Sequence, residues 1–146
     1  MFIKGVKYIE QCSICDEIRR GDLILEQNYE YVVYVCRRPY NNGHLIIAPR
    51  NHISLKNSDP KIIKDLFKIC KNCIRLLSEA YSPHGFNIDI VQEPHVAMQI
   101  VPRWNGDASF VSVFHNTRVI AEPPQMTLRY LRDLSNKLGI RLLGGL

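Results

Sequence analysis

Apolar positions along the chain follow two different periods. Residues 22–36, DLILEQNYEYVVYVC, are rich in Val, Ile, Leu and Tyr and read as two strands with a turn near Gln27 and Asn28. RPYNNG (38–43) is a run of turn formers, and HLIIAP (44–49) is a short buried strand ended by Pro49. The period then becomes helical. Ile62, Ile63, Leu66, Phe67, Cys70, Cys73, Ile74 and Leu77 share one face of a helix running to about residue 80. Asp59 is its N-cap and Pro60 fits its first position. SPHG (82–85) breaks it, and FNIDIV (86–91) returns to a strand. After a short turn comes a strand containing 95–101, which places His95, Ala97 and Gln99 on one face and Val96, Met98 and Ile100 on the other. Residues 103–124 mix loop with short extended pieces. Pro124 then opens a final helix, striped by Leu128, Leu131, Leu134 and Leu138, with Gly139 near its end. Strands on short connections around one long helix predict an α+β fold with an antiparallel sheet.

Composition adds bounds. The 146 residues suit one domain, 1–146, and 46% hydrophobic with 23% charged residues is ordinary for a globular chain. No apolar run reaches the length of a membrane span, and MFIKGVKYIEQC is too short and too polar for a signal peptide, so a cytoplasmic location is expected. The net charge of +5 is scattered, with short clusters at Arg19-Arg20 and Arg37-Arg38. It is compatible with anionic partners, although charge alone favours a solvated basic surface. The five cysteines, an odd number without a secretory signal, argue for metal ligation or burial over a disulfide framework.

The candidate chemistry starts at CSIC (12–15). Two thiolates at this spacing can share one metal if two further ligands come from elsewhere. A redox pair is disfavoured, because the motif does not sit between a strand and a helix as a thioredoxin-like pair does. His52 and His95, both at strand ends, complete a Cys2His2 set that would be closed and structural. Spacing alone leaves this reading level with that of four unrelated buried residues. CKNC (70–73) lies on the apolar face of the long helix and reads as core packing. His84 sits in a turn and is expected at the surface, and His115 has no nameable partner. Gly43 permits a tight turn or a close backbone approach to a ligand.

In order, Cys-x-x-Cys, two strands, PYNNGHLIIAPRNH, a long helix, GFNIDI and HVAMQIVPRWNGD resemble the histidine triad superfamily from about Cys12 to about Glu122. IVPRWNGDASFVSVFHNTRVIAE is most similar to its diadenosine tetraphosphate phosphorylases. EPHVAMQI is similar to galactose-1-phosphate uridylyltransferases, which carry glutamine at the third triad position. The resemblance implies a five-stranded antiparallel sheet with one long helix and a C-terminal helix, often doubled into a homodimer. It implies structural zinc on Cys12, Cys15, His52 and His95, a nucleotide or dinucleoside polyphosphate as ligand, and nucleotide contacts from Asn42, Asn87 and Gln99. In active members the middle triad histidine attacks the α-phosphorus and becomes nucleotidylated, since a neutral imidazole is both nucleophile and leaving group. The third position bonds a phosphate oxygen, which the Gln99 amide can still do.

Ala97 stands at the nucleophile position, and a methyl group cannot attack phosphorus. Cys36 occupies a position near the ribose that is usually polar. The span from Asn87 to His95 lacks the expected glycine-rich phosphate loop, and Asp89 replaces a usual glycine. Together these imply a catalytically impaired, nucleotide-binding member of the superfamily. The alternatives are an active dinucleoside polyphosphate hydrolase or phosphorylase (or an engineered nucleophile knockout of one), and a non-enzymatic protein- or nucleic-acid-interaction module. Nucleic acid ranks last, because no aromatic-and-basic stripe is evident. If Ala97 is the sole defect, Ala97→His is expected to restore turnover.

Overall fold

The computed structural model describes residues 2–3, 6–7, 11–92, 94–106 and 121–146; His115 and most of the 103–124 segment lie outside these. Among the described residues, a hairpin of β1 (Phe2–Ile3) and β2 (Val6–Lys7) precedes α1 (Ser13–Arg20). Five strands then form one antiparallel sheet: β3 (Ile24–Gln27), β4 (Tyr31–Val35), β5 (Leu45–Pro49), β6 (Gly85–Val91) and β7 (Ala97–Arg103). Their spatial order is β3-β4-β5-β7-β6. Two further helices, α2 (Pro60–Tyr81) and α3 (Pro124–Leu138), complete the expected α+β architecture.

The period-2 pattern sends the two sides of the sheet to different neighbours. Val33, Val35, Leu45, Ile47, Met98 and Ile100 pack against Leu66, Ile69, Cys70, Cys73, Leu76 and Leu77 of α2. Leu128 and Leu131 of α3 join this core, whereas Leu138 is 43% exposed, so the apolar stripe ends before the helix does. Cys70 and Cys73 are buried here as packing residues, and burial pushes the Cys70 thiol up to about 11.

On the outer face, Val32, Tyr34, Ala48 and Ala97 are covered by Cys12, Ile14, Cys15 and Ile18 of α1 and its cap. All five residues of β4 are therefore buried, which is why YVVYV shows no polar alternation. No periodicity in the sequence predicts α1, and the CSIC pair is expected apart from a strand–helix junction. In the structure the pair opens α1: Cys12 is the N-cap, its sulfur accepts the Cys15 N–H at 3.3 Å, and Gly21 closes the helix at φ +69°. Eight residues with three buried positions are too short for periodicity to reveal.

The loop before β5 is pinned by Gly43, at φ +82°, where an added Cβ would sit 2.9 Å from both the Leu77 Cδ2 and the Tyr81 Cε2. Left-handed strain and displaced packing predict that Gly43→Ala costs about 2 kcal/mol. A urea midpoint unchanged by this substitution would show that the loop has slack.

Candidate metal centre and outer-face pocket

Three separate segments deliver the Cys/His cluster. The α1 N-terminus supplies Cys12 and Cys15, the chain leaving β5 supplies His52, and the residues entering β7 supply His95. One ligand atom from each lies within 4.8 Å of all the others, and Cys12, Cys15 and His95 are buried. The Cys12 Sγ is 3.6 Å from the His95 Nδ1, and the Cys15 Sγ is 3.4 Å from the His52 Nδ1 and 3.5 Å from the His95 Nδ1. A tetrahedron with ordinary metal–sulfur and metal–nitrogen lengths has sulfur–nitrogen edges of about 3.6 Å, so these side chains are spaced to share one ion.

The surroundings favour ligation. His95 donates its Nε2–H to the Pro49 carbonyl at 2.8 Å, which fixes the tautomer and turns a bare Nδ1 toward the sulfurs. Burial, helped by the neighbouring His52, lowers the His95 pKa to about 4, so its imidazole is neutral at physiological pH. At the start of α1 the Cys15 backbone N–H donates to the Cys12 Sγ at 3.3 Å and holds that sulfur toward the cluster. The four residues proposed from spacing are thus brought together.

Beside this cluster, a cavity of about 390 Å³ opens between α1 and the outer sheet face. Ser13, Asp16, Glu17 and Arg20 form its helical wall, and Tyr34, Cys36 and Ile46 its sheet wall. Arg37 anchors one end, bonding both Glu17 oxygens at 2.7 and 3.0 Å and Asp22 at 2.6 Å. Tyr34 is 2% exposed and lines the cavity from the sheet side. Burial raises its pKa and keeps it a neutral donor and acceptor.

Gln99 lies directly opposite Ile46 in the sheet, on the same outer face, and opposite Asp89 on its other side. The Gln99 Oε1 is 2.8 Å from the Nε2 of buried His44. The His44 Nδ1 accepts the Tyr40 N–H at 3.2 Å, so Nε2 carries the proton and donates to Gln99. Burial lowers the His44 pKa and supports this neutral form. The Gln99 amide is thereby oriented, with its NH2 left to donate elsewhere. Sequence reasoning noted Gly43 and passed over His44; its signal was a histidine opening a buried strand, in line with Ile46 and Ala48.

The other site residues lie apart. Ala97 is fully buried in the small cluster beneath α1. The Asn42 Oδ1 accepts the Glu122 N–H at 2.8 Å, so that side chain ties its loop to the approach to α3. Asn87 is exposed on β6, opposite Val101. His84 is exposed and accepts the Asn105 N–H at 2.7 Å. β6 ends at Val91 and β7 begins at Ala97, with the connection held to 53–55 through Val96 N to Ile53 O at 2.8 Å and Leu55 N to Gln92 O at 3.2 Å.

No family model matches the chain. It is 30% identical over 102 residues to an Ap4A phosphorylase of Mycobacterium tuberculosis, an alignment covering 64% of the chain and 52% of that protein. The chain thus spans about half the length of the curated relative it matches. Among solved structures, a Zn-bound histidine triad family protein from Mycobacterium smegmatis superposes with a TM-score of 0.69 at 21% identity, covering 88% of this chain and 96% of that one. A hypothetical histidine triad nucleotide-binding protein from Sulfolobus tokodaii gives 0.67 at 16% identity, covering 92% and 98%. Among the described residues, no helix is long and apolar enough to cross a membrane.

Proposed function

We propose that this chain, which has the histidine triad fold, binds a nucleotide or dinucleoside polyphosphate on its outer sheet face without covalent nucleotidyl transfer. The Gln99–His44 hydrogen bond carries the reading. It orients the Gln99 amide on the outer face, next to the cavity-lining Ile46, while Ala97, at the position of the missing nucleophile, is sealed beneath α1. An amide orients a phosphate oxygen but forms no phosphoryl bond. The M. tuberculosis relative, named for Ap4A, supports a dinucleoside polyphosphate as the ligand class. Asn42, Asn87 and Gln99 are the contacts proposed from the resemblance. Gln99 is placed best for it, because it alone of the three flanks the cavity through its strand partner Ile46.

Zinc is the proposed metal, held by Cys12, Cys15, His52 and His95. Two thiolates and two imidazoles at tetrahedral edge lengths suit Zn²⁺, and four protein ligands leave no open position for catalysis. Bound zinc supplies structural cross-linking between α1, the chain after β5 and the start of β7. A homodimer belongs to the same reading: among the described residues no strand pairs with the outer side of β6, whose Ile88 is 43% exposed. Sedimentation analysis tests it, with a monomer at micromolar concentration counting against it.

Mass spectrometry after incubation with diadenosine tetraphosphate tests the main proposal, with unmodified protein and intact ligand expected. A nucleotidylated chain would overturn it. Within the cavity, Tyr34→Phe is expected to weaken nucleotide binding about tenfold, the worth of one buried hydrogen bond. Its melting temperature should change little, because the ring keeps its packing in the cluster beneath α1. Unchanged affinity would place the ligand elsewhere.

A further inference from the structure

The opposite side of the molecule carries a feature that the outer-face site does not use. Lys61, Lys64, Lys68, Lys71 and Arg75 recur at alternating steps of three and four along α2, and all are exposed. At 3.6 residues per turn, Lys64, Lys68, Lys71 and Arg75 fall within about 60° of arc and run about 16 Å along the axis. Lys61 is engaged by Asp65 at 2.7 Å and Glu30 at 3.6 Å. Among the described residues no carboxylate lies within ion-pairing distance of the other four. Asp65 is turned inward to the Tyr31 hydroxyl, and Glu79, the other carboxylate of α2, lies one turn beyond Arg75. Phe67, 49% exposed, borders the stripe.

Helix formation does not explain this arrangement. Like charges three and four residues apart repel one another. Cations near the α2 N-terminus, where the first turn holds no acid, oppose the helix dipole. The fold tolerates an unfavourable row that a polyanion would neutralise.

We infer that this face of α2 docks single-stranded nucleic acid, with Lys64, Lys68, Lys71 and Arg75 along the phosphates and Phe67 as a stacking surface for a base. A membrane fits less well, because Leu66, Ile69, Leu76 and Leu77 of α2 are committed to the core and Phe67 is the single large exposed apolar side chain of α2. An acidic protein fits less well, because stable protein interfaces have an apolar centre depleted in charge, and here the charges form the centre. A scan for contiguous basic clusters misses the stripe, since only the helical period assembles it.

The test is fluorescence anisotropy of the metal-loaded chain with a labelled 20-nucleotide mixed-sequence single strand, as DNA and as RNA. Phosphatidylserine vesicles and polyglutamate serve as competitors. Four phosphate contacts predict an affinity that falls about 50-fold between 50 and 200 mM salt. Neutralising three of them together (Lys64→Gln, Lys68→Gln, Lys71→Gln) should cut the salt slope to about a quarter at an unchanged melting temperature. Absence of binding at 50 mM salt would overturn the inference. So would binding that the triple variant leaves intact, or displacement by vesicles or polyglutamate more readily than by unlabelled strand. Nucleotide binding on the outer face is expected to be unaffected by the triple variant, so this inference and the proposed function fail separately.

Discussion

Stripping the metal with a chelator is expected to lower the melting temperature by about 6–12 °C and to loosen α1 first. A metal held by the cluster would join three segments that are distant in sequence: 12–15, 52 and 95. Structural zinc contributes about 10–16 kcal/mol of apparent binding energy in zinc-finger peptides, and even a quarter of that is about 3 kcal/mol here. For a chain of this size, each kcal/mol moves the melting temperature by about 2–4 °C. Without the ion, two thiols and two imidazoles face one another at 3.4–3.6 Å and lose the cross-link between their segments. α1 would then keep its three buried side chains and the Arg37 bonds to Glu17, too little to hold an eight-residue helix firmly. Hydrogen exchange should show amides of 13–20 opening while those of α2 stay protected. Cys15→Ser should reproduce the loss, and Cys36→Ser, outside the cluster, should not. A metal-free protein with an unchanged melting curve would remove the centre from the account.

Ala97→His is expected to destabilise the fold by about 2–4 kcal/mol and to yield no turnover. The sequence alone made this the rescue experiment, since it restores the histidine of the motif. The structure shows what the new ring would meet. Ala97 is completely buried against Cys12, Ile14, Cys15, Ile18, Val32, Tyr34 and Ala48, beside the metal ligands. An imidazole must displace that packing and bury ring nitrogens with no prepared partners. The urea midpoint reads the first effect, and chromatographic assay of diadenosine tetraphosphate the second. A stable variant with restored turnover would show that Ala97 is the sole defect.

Most of the fold was legible because the two apolar periods differ and each fixes a face. The helix over 60–81 has a cap, a proline and five turns of periodicity, and the observed boundaries follow these signals. The strand pattern over 95–101 gave the correct faces for Ala97, Met98, Gln99 and Ile100, although the strand itself begins at Ala97 and leaves His95 at its mouth. α1 escaped because two turns carry too little periodicity. The metal set was legible in the types and order of its residues, but the proximity of His52 to Cys15 is purely tertiary. The same holds for the cavity, whose walls come from 13–20 and 34–46 and meet only because α1 folds across the sheet. His44 was hidden by its neighbours: in a run of apolar residues a lone histidine reads as a strand end until the opposing Gln99 is known.

Calorimetric titration of the zinc-loaded chain with diadenosine tetraphosphate tests the central claim most directly, because heat reports binding and turnover in one experiment. A saturating micromolar isotherm is expected, its heats ceasing once the cavity is filled and its affinity weakened by Tyr34→Phe. Absence of heat at every concentration, or steady heat flow that persists past saturation as ligand is consumed, would contradict it.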